Sequence, residues 1–167
     1  MSLVTYGEAR PWAKAIRDEV LSRRMPPWDA VRGVGEFRND PSLSPPELDL
    51  LVSWVEGGAP EGDPIYLPPA PAIAEVEAEP DRSDGITVND SMTLAKPLTL
   101  VGVRPQGPLE LVASLPDQSV RRLIWVRTFR SEWNRTYYFR EPVKLPKGAK
   151  LVIYGSPTRA LLHVESR

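Results

Sequence analysis

The chain of 167 residues contains no cysteine and a single histidine, His163. Without cysteine it can form neither a disulfide nor a thiolate metal site. It also cannot attach haem covalently, because that attachment needs a C-x-x-C-H segment. One imidazole is too few for the histidine-rich sites that hold copper. We therefore expect no cofactor, no metal-binding residue and no catalytic residue of the chain's own.

An excess of charge of one sign is also missing, since 21 basic residues face 22 acidic ones and the net charge is -1. Nothing in this balance draws the chain to nucleic acid or to an anionic membrane. The sequence has no phosphate loop, no G-x-G-x-x-G and no G-x-S-x-G. No apolar run approaches the roughly 20 residues of a membrane span, and charged residues within positions 1–20 argue against a secretory signal. We expect a protein that is not an enzyme, and the compartment stays open.

Proline is abundant: the 19 prolines are about twice the usual share of roughly 5%. Long uninterrupted helices are therefore excluded. A first helix is predicted from a capping box at Thr5 and a restart at Pro11. It should end near residue 24 and bury one face formed by Trp12, Ile16 and Val20.

A second helix is predicted after a loop that covers residues 25–42. Ser44 is a good N-cap, Pro45 occupies the first helical position, and Glu47 completes another capping box. Gly57 and Gly58 supply the C-terminal cap with a positive φ.

Strand patterns follow a proline-rich connector. Residues 109–115 alternate between apolar and other side chains, as a half-buried strand does. About seven short strands separated by turns indicate an antiparallel sandwich. They are predicted at 86–88, 98–103, 109–115, 121–128, 135–141, 150–154 and 160–164. We therefore predict an α+β chain with a helical segment over residues 1–63, a linker over 64–82 and an antiparallel β-sandwich domain over 83–167.

Several segments of the first part, taken in order, carry a resemblance. The sequence resembles the latter half of a bacterial cytochrome-c-like domain at Thr5–Ala13, Met25–Trp28, Gly35–Asp40, Leu43–Glu47 and Trp54–Asp63. In that family a C-x-x-C-H segment precedes this region, and the protein is exported or periplasmic. The resemblance implies that Met25 stands at the axial haem position.

A second resemblance lies near the C-terminus. Residues 133–137 and 141–148 resemble the C-terminal part of a copper type II, ascorbate-dependent monooxygenase-like β domain. Such domains bind copper through His and Met side chains, including an H-M-H run. The resemblance implies that Gly102, Val103 and Arg104 stand where that run would be, so the copper ligands are missing.

The local sequence favours roles other than metal or haem binding for the two remaining candidate ligands, Met25 and His163. Met25 lies beside two prolines and Trp28, which is typical of a packing methionine. Leu162 and Val164 flank His163. Since side chains alternate between the two faces of a strand, a strand that buries Leu162 and Val164 in the core would point the imidazole to solvent.

Three functions follow as hypotheses. The leading one is a non-catalytic structural or interaction module with a protein partner or a second copy of the chain. The small helical segment is expected to dock on the β half or on a second copy of the chain. One alternative is part of an electron-transfer haem protein whose C-x-x-C-H lies upstream or in a partner. The other is a small-ligand or glycan-binding β domain that uses Trp125, Trp133 and neighbouring arginines.

Overall fold

The computed structural model of the chain describes residues 3–38, 40–66, 85–156 and 159–165. The chain divides into two compact units, a helical unit formed by residues 1–28 and 41–78, and a β unit formed by residues 29–40 and 79–167. Residues 29–40 thus cluster with the strands, although the sequence places them within the helical segment. The reason is tertiary, since this segment forms backbone bridges to strand residues Val126 and Phe139.

The helical unit contains α1 (Tyr6–Ala9), a 3₁₀ turn (Arg10–Trp12), α2 (Ala13–Leu21) and α3 (Pro45–Glu56). Both predicted capping boxes are present, at Thr5 with Glu8 and at Ser44 with Glu47. Gly58 has the predicted positive φ, at 89°. The predicted helix ends are confirmed where a local side chain or glycine specifies them.

The prediction of one helix from Pro11 to residue 24 is wrong. Pro11 lies inside the 3₁₀ turn, and α2 ends at Leu21. Arg23 has a φ of 54°, which no continuing helix allows. The turn also rotates Trp12 away from the face of α2, so Trp12 is 47% exposed while Val20 is buried. The predicted apolar face is therefore buried only at its C-terminal end.

The β unit contains eight described strands that form two antiparallel sheets. The strands are β1 (Gly85–Asn89), β2 (Ser91–Thr93), β3 (Leu98–Pro105), β4 (Leu109–Ser114), β5 (Val120–Val126), β6 (Tyr137–Leu145), β7 (Lys150–Gly155) and β8 (Arg159–Val164). The first sheet has the order β1-β8-β3-β6, and the second has the order β2-β7-β4-β5. The predicted α+β class with an antiparallel sandwich is confirmed. The short β2 was not predicted, and β6 runs on to Leu145.

The core of the β unit lies between the inner faces of the two sheets. Leu100 and Leu162 of the first sheet and Leu111 and Leu151 of the second have no exposed surface. Each fully buried leucine contributes roughly 1.5–3 kcal/mol relative to an exposed one. The alternation of apolar residues along the strands is visible in the sequence. It therefore accounts for which faces of the two sheets pack against each other.

Two further predictions concern the rest of the chain. No described helix is long and apolar enough to cross a bilayer. The predicted linker begins with a 3₁₀ turn at Pro64–Tyr66, and its remaining residues, 67–82, lie outside the described residues.

Candidate functional site

A bridging segment, residues 29–38, follows the edge of the second sheet. Ala30 forms a β-bridge with Val126 at the end of β5. The N–H of Val31 donates a hydrogen bond of 2.7 Å to the carbonyl of Trp125. Because β5 is an edge strand, these contacts satisfy backbone groups that would otherwise be left open.

The other end of the bridging segment joins β6, the edge of the first sheet. The Arg38 N–H donates to the Tyr138 carbonyl at 2.8 Å, and the Arg140 N–H donates to the Glu36 carbonyl at 2.8 Å. Phe37 stacks on Phe139 with ring centroids 5.2 Å apart. The bridging segment therefore spans the two open sheet edges on one side of the sandwich.

A buried ion pair anchors the start of the bridging segment. The Asp29 carboxylate accepts from the Arg130 backbone N–H at 3.0 Å and from the guanidinium at 2.8 Å. Only 2% of the Asp29 side chain is exposed. The guanidinium also lies 4.2 Å from the centre of the Trp133 ring, which adds a cation–π contact. Asp29 and Arg130 thus join the bridging segment to the β5–β6 connection.

Tyr137, at the start of β6, lies in the same region. Burial raises the pKa of this phenol from 10.0 to about 12, and the negative charge of Asp29 adds to the rise. The neutral phenol is therefore the form that the folded protein favours.

A cavity of about 490 Å³ opens between the bridging segment and the two edge strands. Its lining residues are Gly33, Gly35, Glu36, Arg121, Arg122, Leu123, Phe139, Glu141 and Val143. Gly35 closes one wall tightly, because a Cβ on it would lie 2.3 Å from the Leu123 carbonyl oxygen. The volume lies within the range of known small-molecule sites, roughly 300–1,000 Å³.

Trp125 lies at the centre of a second surface, the outer face of the second sheet. The guanidinium of Arg127 lies 4.5 Å from its ring centre and that of Arg122 lies 5.2 Å away. Arg122 also forms an ion pair with Glu110 on the neighbouring strand. The arginines and tryptophans noted in the sequence therefore form separate clusters, one around Trp125 and one around Trp133.

Met25, which the resemblance would place at an axial haem position, lies after α2 and is 51% exposed. Its backbone N–H donates to the Glu19 carbonyl at 3.3 Å. A thioether is one weak ligand, and covalent c-type attachment needs thiols that this chain lacks. The residues present therefore do not fit a covalently bound haem.

The prediction that His163 faces solvent is wrong, since this residue has no exposed surface. It does point away from the core face of β8, but glycines Gly85 and Gly102 stand opposite it on both neighbouring strands. The place of a Cβ on Gly102 is taken by Tyr138 and Thr136, at 2.9 and 3.1 Å. These side chains thus pack down over the imidazole.

The imidazole of His163 contacts a side chain of its own sheet. Its Nε2 lies 3.3 Å from the Thr136 hydroxyl oxygen. It stands opposite Gly102, in the stretch where the copper family has its H-M-H run. Copper sites of that family need several imidazole or thioether ligands, and no group of three or more His, Cys, Asp or Glu side chains among the described residues could hold a metal. The donor set here does not fit copper.

Sequence reasoning missed the Asp29–Arg130 pair and the cavity. The two charges are 101 residues apart, and no local pattern marks either as buried. The glycines Gly33 and Gly35, both with positive φ, were the one available signal that the bridging segment turns tightly.

Comparison with known proteins leaves the resemblances as they stand. No family model matches the chain, and neither a curated protein nor a solved structure is significantly similar to it. The likeness of residues 1–63 to a cytochrome-c-like domain and of residues 133–148 to a copper monooxygenase-like domain therefore stays a prediction from the sequence.

Proposed function

We propose that the chain is a non-catalytic interaction module, and that its β unit binds a partner protein through the outer face of the second sheet. Three side chains stand in one row across this face. Tyr154 of β7 and Trp125 of β5 are the register neighbours of Glu110 in β4. Tyr154 is 59% exposed. Tyr, Trp and Arg are the residue types that are enriched in protein interfaces and dominate their binding energy.

The observation that carries the proposal is the Trp125 ring with guanidinium groups stacked against it, from Arg122 and Arg127. Stacking holds the planar guanidinium in place before a partner arrives, so less side-chain entropy is lost on binding. Arg122 is already paired with Glu110. Arg127 forms no ion pair with a described residue, so it is available to a carboxylate. We expect a partner with an acidic patch.

Site-specific photo-crosslinking in the source cells tests this proposal. A benzophenone amino acid at position 154 should give one defined adduct, which Arg127→Glu should weaken strongly. The matched control is the same amino acid at Lys144, an exposed position on β6 of the first sheet. Equal adducts at both positions, or an adduct that ignores Arg127→Glu, would remove the proposed face. A mass of twice the chain would identify the partner as a second copy.

The non-catalytic part of the proposal has its own test. Metal analysis and a visible spectrum of the purified protein should give neither stoichiometric copper nor a haem absorption band. A haem band would favour the electron-transfer alternative, for which the half-exposed Met25 is the available thioether. In that case Met25→Leu should change the spectrum, while Met92→Leu on β2 should not.

A further inference from the structure

The cavity beside the bridging segment is lined by an exposed charged side chain, Arg121, whose register position depends on a β-bulge. The register of β4 with β5 shifts between Leu111 and Val112, so Arg121 comes to stand opposite Ala113. Ala113 is fully buried in the sandwich, and side chains that face each other across antiparallel strands share one face of the sheet. Arg121 therefore lies on the same face of the sheet as Ala113, but at the exposed end of β5, and its side chain lines the cavity. Bulges that re-aim a side chain are common next to binding sites.

The opposite wall of the cavity contributes a carboxylate, Glu141 of β6. Phe139 and Val143 of β6 are buried on the inner face. Glu141 lies between them in a stretch where the register of β6 with β3 shifts; it is exposed and lines the cavity. Two edge strands from different sheets thus contribute side chains of opposite charge to the lining of one cavity.

Neither charge has an ion-pair partner among the described residues. Arg121 and Glu141 form no ion pair with any residue in the described part of the chain. Between them lie the apolar side chains of Leu123, Phe139 and Val143. The lining also includes Arg122 and Glu36, which form ion pairs with Glu110 and Arg140. The cavity therefore offers one cation and one anion without a partner among the described residues, above an apolar floor that is almost fully buried.

The geometry points to a binding site for a small zwitterion with an apolar side chain, an α-amino acid or a dipeptide. Its carboxylate pairs with the Arg121 guanidinium, whose planar donor geometry suits a carboxylate. Its ammonium group pairs with Glu141, and its side chain lies on the apolar floor. The volume of about 490 Å³ accommodates either ligand. The cavity shares Arg122 with the cluster around Trp125, but the two side chains that would pair with the ligand, Arg121 and Glu141, are not part of that cluster.

A simpler explanation of the same residues is protection of the sheet edges, because charges on edge strands also discourage edge-to-edge aggregation. That role needs neither a cavity nor paired opposite charges. It predicts that loss of either charge changes aggregation only and that no ligand saturates the protein.

Calorimetric titration of the whole chain with L-phenylalanine and with the Phe-Phe dipeptide tests the inference. At least one of them should saturate. N-acetyl-phenylalanine, which lacks the cation, and phenylalanine amide, which lacks the anion, should bind about tenfold more weakly, as loss of one charged hydrogen bond implies. These ligand controls use the unaltered protein, so they do not depend on how any variant folds. Absence of saturation by either zwitterion, or equal binding of the blocked forms, would overturn the inference.

Charge variants then assign the two ends of the ligand. Arg121→Gln should weaken phenylalanine about tenfold and leave phenylalanine amide unchanged, because the amide has no carboxylate to lose. Glu141→Gln should weaken phenylalanine and leave the N-acetyl form unchanged. Lys150→Gln, at an exposed position of β7, is the control and should change nothing. Equal weakening of all ligands by Arg121→Gln would contradict the assignment. Crosslinking at position 154 is unaffected by either result, so this inference and the proposed function fail separately.

Discussion

Replacing Asp29 by asparagine tests whether the bridging segment is anchored by a buried charge. Asp29 receives two hydrogen bonds from Arg130, at 3.0 and 2.8 Å. Its side chain is 2% exposed, while 22% of the Arg130 side chain is exposed. The pair is therefore largely desolvated on the acidic side and partly hydrated on the basic side.

The size of the effect follows from this asymmetry. Breaking a fully buried pair costs about 3–5 kcal/mol, and a hydrogen bond to a charged group contributes roughly 1.5–3 kcal/mol. In Asp29→Asn one acceptor remains, but an amide N–H then faces the donors of Arg130. Because water can reach part of the guanidinium, the expected cost lies at the lower end of the range for a fully buried pair. We expect a loss of about 3 kcal/mol in the free energy of unfolding.

Urea unfolding followed by tryptophan fluorescence measures this loss. With a slope of about 2 kcal/mol per molar urea, the midpoint should fall by about 1.5 M. Glu132→Gln, an exposed change in the same β5–β6 connection, is the control and should stay within about 0.5 kcal/mol. A loss below about 1 kcal/mol for Asp29→Asn would refute the claim that this carboxylate is desolvated and anchored.

Three other positions yield further predictions. Burial raises the Tyr137 pKa from 10.0 to about 12, so the unfolded chain loses this proton first and stability should fall between these pH values. At about pH 11.5 this loss should reach about 2 kcal/mol in the free energy of unfolding, and Tyr137→Phe should not show it. Urea unfolding at several alkaline pH values measures the difference, and the same pH dependence of stability in both proteins would contradict the prediction. Gly35→Ala should destabilise by several kcal/mol, since its Cβ would meet the Leu123 carbonyl at 2.3 Å. Gly33→Ala, with φ +82 and open space, should cost only about 1–2 kcal/mol of strain, and equal thermal shifts would refute the close approach. His163→Ala should cost about 2–4 kcal/mol in urea midpoints, as large-to-small changes at buried sites do, and an unchanged midpoint would show a solvent-facing side chain.

Local chemistry made some elements predictable from the sequence. The capping boxes at Thr5 and Ser44 and the positive φ at Gly58 involve groups within four residues of one another. The apolar alternation of residues 109–115 likewise depends only on neighbours. The interruption at Pro11 was harder to place, because a proline can begin a helix or break one.

The candidate site was not predictable in the same way. His163 was assigned correctly to the outer face of its strand, but its burial depends on glycines opposite it in β1 and β3. Arg121 stands opposite Ala113 because of a bulge, and a pattern of period two cannot reveal a shift of register in the partner strand. Sequence patterns report which face a residue occupies only while the alternation is regular.

The sequence by itself determined that helical segments precede a set of antiparallel strands, that thiols are missing and that there is a single imidazole, because these are properties of composition and near neighbours. Only the tertiary structure decided that residues 29–38 join the strands, that Asp29 meets Arg130 across 101 residues, and that Arg121 and Glu141 line one cavity. Each of these results depends on contacts between segments far apart in the chain, and the free energy of such contacts exists only when the whole fold brings them together.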